Sequence, residues 1–264
     1  MSELRLDGIS LSYDRGRAQR GPCVLDNVTL SVGANEFVAV LGQSGSGKTS
    51  LLNIAAGFIA PSAGRVTIDG VAQAGPGAGR AVVFQDDALF AWLNARDNVA
   101  LPLRLRGLDV KERRQRADAL LAQVGLEGQG GKAIWTLSGG MRQRVGIARA
   151  LASEPRFLLM DEPLGALDAM TRERMQELLL RAWRTSRAGA LLITHSVEEA
   201  LFVATRVIVL APHPGRIVES LDVDFGARFL DGEAARAIKS DPAFIAIRER
   251  LIDAIHETEL RVAS

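Results

Sequence analysis

At 264 residues and 47% hydrophobic content, the chain suits one large domain or two tightly joined ones with ample core. Basic and acidic side chains nearly balance, 32 against 31, which removes any global argument for a nucleic-acid partner. The lone cysteine, Cys23, excludes an internal disulfide and is expected to be a small residue in a loop or strand of a protein from a reducing compartment. The start, MSELRLDGIS, has no apolar core of a secretory signal, and no run approaches the roughly 18 apolar residues of a membrane span. Any membrane role is therefore expected to come through a partner.

Residues 4–13 and 24–32 alternate in part between apolar and polar side chains, as antiparallel strands do, with a polar loop at 15–21 between them. Tyr13, the only tyrosine, has two open readings: a strand residue with one face buried, or an aromatic platform for a base. Residues 36–41 (EFVAVL) form an apolar run expected to be a buried strand, and 49–58 a helix stopped by Gly57 and Pro61. Between them stand Gly42, Gln43, Ser44, Gly45, Ser46, Gly47, Lys48 and Thr49, which fit the phosphate-loop pattern G-x-x-x-x-G-K-[ST], followed by Ser50 in the helix. Strand, glycine loop and helix are what phosphate binding requires. Glycines let backbone N–H groups converge on one phosphate chain, and the helix dipole adds positive charge there. Lys48 offers a full charge to the β- and γ-phosphates, and Thr49 a hydroxyl to Mg²⁺.

Residues 65–70 read as a strand and turn, 75–79 as a loop, and 80–84 as a buried strand with Gln85 at its end. From 86 to about 131 the chain is richer in Leu and Arg, with helical spacing over 113–124. The basic residues between Arg104 and Arg116 are expected to be a solvated helix face. This stretch reads as a helical insertion into an α/β core. LSGGMRQR (137–144) then opens a helix: Ser138 is a good N-cap, and Gly139 and Gly140 keep its start bare. It is a second anion-binding helix start, and it makes sense if it serves a phosphate held by another copy.

FLLM (157–160) is a strand ending at Asp161-Glu162. A carboxylate at the end of a central parallel strand sits near a phosphate loop. Asp161 is expected to hold Mg²⁺ through water, and Glu162 to accept a proton from attacking water. A tight turn, 164–168, follows. ALLIT (190–194) is a further buried strand with His195 at its end, and Ser196 to Glu199 is a capping-box sequence that starts a helix directly after the histidine. His195 is thus expected at the phosphate side, whereas His213 and His256 are expected to be ordinary. Residues 206–210 are another strand. Asp241-Pro242 opens a final helix whose face of Phe244, Ile247, Leu251, Ala254 and Ile255 is expected to serve packing.

The phosphate loop, Gln85, LSGGMRQR, LLMDEP (158–163), GALD (165–168) and Thr194-His195 occur in the order found in ATP-binding cassette proteins, and the resemblance covers essentially the whole chain. It implies that Tyr13 stacks on adenine and that Gly42 to Ser50 cradle the phosphates. Gln85 would touch Mg²⁺ and relay to a membrane subunit. Ser138, Gly139 and Gly140 would meet the γ-phosphate of the opposite protomer, with Asp168 communicating across the dimer. Asp161 would support Mg²⁺, Glu162 would be the general base, and His195 would contact the γ-phosphate. Ser196 stands where Asp often follows the histidine, and both are good N-caps; Met141 replaces the more usual Gln, outside the phosphate contacts. Further segments, among them VVFQ (82–85), Trp92, DNVA (97–100), Phe225 with Arg228-Phe229, and IKSDP (238–242), look like the ATPase subunits of the nitrate/sulfonate/taurine importer group, taurine importers above all.

The resemblance implies an α/β P-loop NTPase with a RecA-like core, an antiparallel β subdomain and an inserted α-helical subdomain. The expected limits are 1–85 and 152–220 for the β and RecA-like core, 86–151 for the helical subdomain and 221–264 for a C-terminal extension. It also implies ATP and Mg²⁺, a homodimer, transmembrane permease subunits, a periplasmic or lipid-anchored solute-binding protein, and a peripheral place on the cytoplasmic face of the inner membrane. The competing readings are an aliphatic-sulfonate or nitrate importer, a soluble cassette ATPase without a transporter, and a module that has lost catalysis. The short interval from Lys48 to Ser138 leaves no room for a long coiled-coil insertion, and Lys48, Glu162 and His195 are all present.

Overall fold

The computed structural model describes residues 2–14, 20–86, 88–165 and 167–263. Most of the polar loop expected at 15–21, and Ala166 of the expected tight turn, lie outside the described residues. In chain order the first elements are β1 (Glu3–Asp14), β2 (Arg20–Gly33), β3 (Phe37–Leu41), α1 (Lys48–Ala56), β4 (Ala63–Ile68), β5 (Val71–Ala72) and β6 (Arg80–Val83). There follow α2 (Ala95–Leu105), α3 (Val110–Gln123), α4 (Gly139–Ala152), β7 (Phe157–Asp161), α5 (Ala169–Ser186) and β8 (Gly189–Thr194). The chain closes with α6 (Val197–Val203), β9 (Arg206–Ala211), β10 (Arg216–Asp222), α7 (Phe225–Leu230), α8 (Ala235–Lys239) and α9 (Pro242–Ala263). Among the described residues, no helix is long and apolar enough to cross a membrane. The chain divides into two compact units: Met1–Gly77 with Gly189–Ser264, and Ala78–Ala188.

In the first unit, an antiparallel sheet runs in the order β2-β1-β4-β5. Leu6 of β1 lies opposite Leu30 on one side and Val66 on the other; β1 buries Leu4 and Leu6 by alternation and, past a register shift, Ile9 and Leu11. A second set of strands runs β10-β9-β3-β8, with β3 parallel to both neighbours. Every residue of β3 and β8 is buried, as expected of parallel strands covered on both faces. The register pairs Leu41 with Thr194 and with Val209, so β3 and β8 finish level while β9 runs on to Ala211, at the end where ligands bind in parallel sheets. Helix α1 leaves from that end and stops at Gly57 in the left-handed region, a common helix terminator.

The C-terminal elements of this unit carry their own apolar cluster. Phe225 meets Phe244 edge-on at 4.9 Å, Phe229 meets Phe202 of α6 at 5.3 Å, and Leu251 is fully buried. The face expected of the last helix is present, with Phe244 and Leu251 deepest and Ile247, Ala254 and Ile255 half-buried.

In the second unit, β6 and β7 pair in parallel with Val83 opposite Met160. Helices α2, α3 and α4 pack on one another through buried Val99, Leu103, Ala117, Leu121, Val145 and Ala148. Helix α3 begins at Val110, ahead of the position 113 read from its periodicity. Asp109 caps it, accepting from Lys111 N at 2.8 Å and Glu112 N at 3.0 Å, and a cap overrides a charged first turn with no apolar rhythm.

Candidate functional site

The phosphate loop is built by backbone geometry. Gly42 leaves β3 where a Cβ would stand 2.6 Å from the Leu210 carbonyl of β9, so no other residue fits without a shift. Gly47 caps α1 at φ +90°, where a Cβ would also meet Leu25 Cδ2 at 2.7 Å. No side chain caps α1, so its first amides lie ahead of the first helical hydrogen bonds, as an anion site requires. The Lys48 ammonium curls back over the loop and donates to the Gly42 and Gln43 carbonyls at 2.7 and 2.6 Å. Ser46 is fully buried, and its hydroxyl finds no hydrogen-bond partner among the described residues. Gln43 is half-buried, whereas Ser44, Gly45 and Thr49 are exposed.

Tyr13 lies near the end of β1 and is 47% exposed, as a strand residue with one face buried would be. Its hydroxyl shares a hydrogen bond of 3.1 Å with Ser50 Oγ in α1, tying the aromatic ring to the phosphate-loop helix.

His195 directly follows Thr194, the register partner of Leu41, so it emerges exposed at the level of the phosphate loop. Its corner is held differently from a full capping box. Ser196 Oγ accepts from Glu199 N at 3.3 Å, as expected. The Glu199 carboxylate, however, takes a short hydrogen bond from the Thr194 hydroxyl, and Ser196 N donates to Thr194 Oγ1 at 3.1 Å. Thr194 thereby intercepts the reciprocal half of the box and pins both sides of the histidine.

In the second unit, Asp161 ends β7, and Glu162 follows at φ +43°, a left-handed conformation uncommon for a carboxylate residue. Gln85 is exposed just beyond β6. Helix α4 opens as the sequence suggests: Ser138 Oγ accepts from Met141 N at 3.3 Å, and Ser138 and Gly139 are exposed. Gly140 is close-fitted, with a Cβ there 3.2 Å from Leu167 Cδ2. Asp168 caps α5, accepting from Thr171 N at 3.0 Å. Hydrogen bonds from the Thr171 side chain and backbone hold its carboxyl below the usual carboxylate range.

Two supports escaped the sequence reading. Asn98 is fully buried; its amide donates to the Phe90, Leu93 and Asn94 carbonyls, and its Oδ1 accepts from Phe90 N at 2.9 Å. Arg149 donates to the Ala88 carbonyl at 2.9 Å and lies over the Phe90 ring. Together they fix the segment after Gln85. The buried asparagine inside an apolar helix was the available signal, since such a group must find partners.

These parts invite comparison with known proteins. A family model described as ABC transporter matches residues 25–165. The taurine import ATP-binding protein TauB of Sinorhizobium fredii is 58% identical, over 95% of this chain and 94% of that protein. The chain belongs to the ABC transporter family. The TauB protein of Mesorhizobium japonicum is also 58% identical to this cassette, over 98% of this chain and 99% of that protein. A solved dimer of the ATP-binding cassette MJ0796 superposes with a TM-score of 0.74 at 32% identity, covering 83% of this chain and 98% of that one. A post-hydrolysis dimer of the same cassette, bound to ADP and Pi, gives 0.73 at 31% identity with the same coverage. The cassette thus has the expected α/β P-loop NTPase fold, with an antiparallel sheet and helices joined to parallel strands.

Proposed function

We propose that this chain is the ATP-hydrolysing subunit of a taurine importer. The observation that carries the reading is the 58% identity to taurine import ATP-binding proteins along nearly the full length of both chains. The site chemistry agrees with it. Two copies would bind two ATP head to tail, as the dimeric form of the solved cassettes suggests. Lys48 and the α1 amides would hold the phosphates, and Tyr13 would stack on adenine. Ser138, Gly139 and Gly140 of the other copy would close over the γ-phosphate, with Asp168 beside the dimer contact.

Glu162 would take the proton of the attacking water, and His195 would orient that water and the γ-phosphate. Positioning and charge neutralisation do most of the work. The donors proposed for Mg²⁺, namely the Thr49 hydroxyl, the Asp161 carboxylate and the Gln85 amide, are the hard oxygens that ion prefers. Mg²⁺ is commonly held by one or two carboxylates with phosphate and water completing its shell. When bound with nucleotide, Mg²⁺ supplies charge neutralisation at the phosphates.

The partners in this reading are transmembrane permease subunits, signalled to through Gln85, and a periplasmic or lipid-anchored solute-binding protein. Its place is peripheral, on the cytoplasmic face of the inner membrane. The deciding experiment is reconstitution with the permease and solute-binding protein encoded beside it. Taurine, a short alkanesulfonate and nitrate are compared as stimulants of ATP hydrolysis. Stimulation by taurine alone is expected. Stimulation by another solute would discard the substrate, and indifference to every solute would discard the transport role.

A further inference from the structure

The match to the family model ends at residue 165, well before α7, yet the C-terminal elements reach the phosphate loop. They are firmly held. Arg228 pairs with Glu233 at 2.8 Å and with Asp241 at 2.7 Å. Lys239 bonds Glu198 of α6 at 2.9 Å and lies over the Phe202 ring. Phe244 and Leu251 root α9 in the core. From that fixed helix, the backbone carbonyl of Ile255 accepts a hydrogen bond from Gln43 Nε2 at 3.3 Å. The backbone carbonyl of the same Gln43 accepts from Lys48 Nζ at 2.6 Å and from Ser46 N at 3.2 Å. One residue therefore links the last helix to the lysine that meets phosphate.

We propose that Gln43 is a positioning residue through which α9 holds the phosphate loop in its ATP-ready shape. The side chain anchors the peptide that Lys48 rests on, so the loop is ordered before nucleotide arrives and less ordering remains to be done on binding. This rests on the reading of residues 42–49 as the phosphate site.

Two substitutions in the full-length chain test it. Gln43→Met keeps the length of the side chain and removes its N–H. Glu259→Pro acts from the other side, because a proline ring clashes with the carbonyl four residues earlier, that of Ile255. Steady-state hydrolysis by the isolated chain gives KM and kcat for ATP, trinitrophenyl-ATP fluorescence gives affinity, and melting without nucleotide reports folding. Gln43→Met is expected to raise KM about threefold to tenfold, the size of one lost hydrogen bond. Its rise in KM should exceed any fall in kcat, and the chain should still melt in one cooperative transition. The double variant is expected to be no worse than the more affected single one, since both cut the same link. An unchanged KM in Gln43→Met, or effects that multiply, would overturn the link and leave the phosphate site standing. Absence of ATP binding in the unsubstituted chain would overturn both. If Glu259→Pro fails to fold, the KM-against-kcat split of Gln43→Met decides alone.

Discussion

The two glycine-rich helix starts of this chain meet the same chemical demand by different means. At α1 the demand falls on the backbone: Gly47 is left-handed, Gly42 and Gly47 are crowded by Leu210 and Leu25, and no side chain caps the helix. At α4 it falls on a side chain: Ser138 caps Met141, and a Cβ on Gly139 would meet nothing within 4 Å. The loop proposed to hold the chain's own phosphate is shaped by close backbone fit and a left-handed glycine. The helix start proposed to meet a phosphate of another copy is an ordinary capped one, open at Gly139 and close-fitted at Gly140. The contrast teaches that glycine serves conformation at Gly42 and Gly47 and bareness at Gly139.

The largest test leaves both helix starts intact and removes only the carboxylate proposed as the base. Glu162→Gln is expected to lower the hydrolysis rate on the order of 10²–10⁴-fold while ATP-bound dimers accumulate, measured by steady-state turnover and size-exclusion chromatography with ATP. Turnover at the ordinary rate would discard Glu162 as the base.

Next come the glycines themselves. Gly47→Ala forces a Cβ into the left-handed region and against Leu25, so a loss of about 1–3 kcal/mol is expected in thermal or urea unfolding, with ATP affinity falling alongside. Gly139→Ala, in open space at a helix start, is expected to leave stability unchanged within about 0.5 kcal/mol. Its effect should appear in hydrolysis by the dimer. Equal destabilisation by the two substitutions would break the comparison.

Ser138→Ala removes a cap and is expected to cost about 1 kcal/mol of stability by urea titration, with Ser138→Asn retaining most of it. A stable Ser138→Ala chain with unimpaired hydrolysis would take the residue out of both roles.

The smallest expected effect concerns pH. Hydrogen bonds from Arg228 hold the Glu233 carboxyl below its usual range, and the Ala243 amide, then Arg228, do the same for Asp241. Both folded-state values are depressed. Their contribution is therefore present above the ordinary carboxylate values, about 4, and is lost as pH falls through the lowered ones. The acid limb of a melting curve against pH is expected to steepen less in Arg228→Ala, because that variant has less to lose.

Much of the candidate site was legible because its signals are local. The loop pattern, the strand before it, Ser138 ahead of two glycines and His195 ahead of a helix cap each lie within a few residues of chain, where sterics and capping act. The start of α3 was misplaced because a cap, Asp109, outweighed apolar rhythm. The hold on His195 was misread because Thr194, rather than Ser196 N, satisfied the Glu199 carboxylate. The role of Asn98 escaped because its partners are backbone groups of a loop that carries no pattern.

The family, the phosphate-loop pattern, and the order of the strands and helices that carry the candidate residues are legible in the chain without its fold. These follow from short-range geometry and from motifs. The tertiary structure alone decided that Gly42 is crowded by the carbonyl of Leu210, that Tyr13 bonds Ser50, and that Gln43 reaches Ile255. Each of those pairs joins separate elements, and in the last the partners are 212 positions apart. Contacts of that kind are set by strand register and helix packing, which no local pattern encodes.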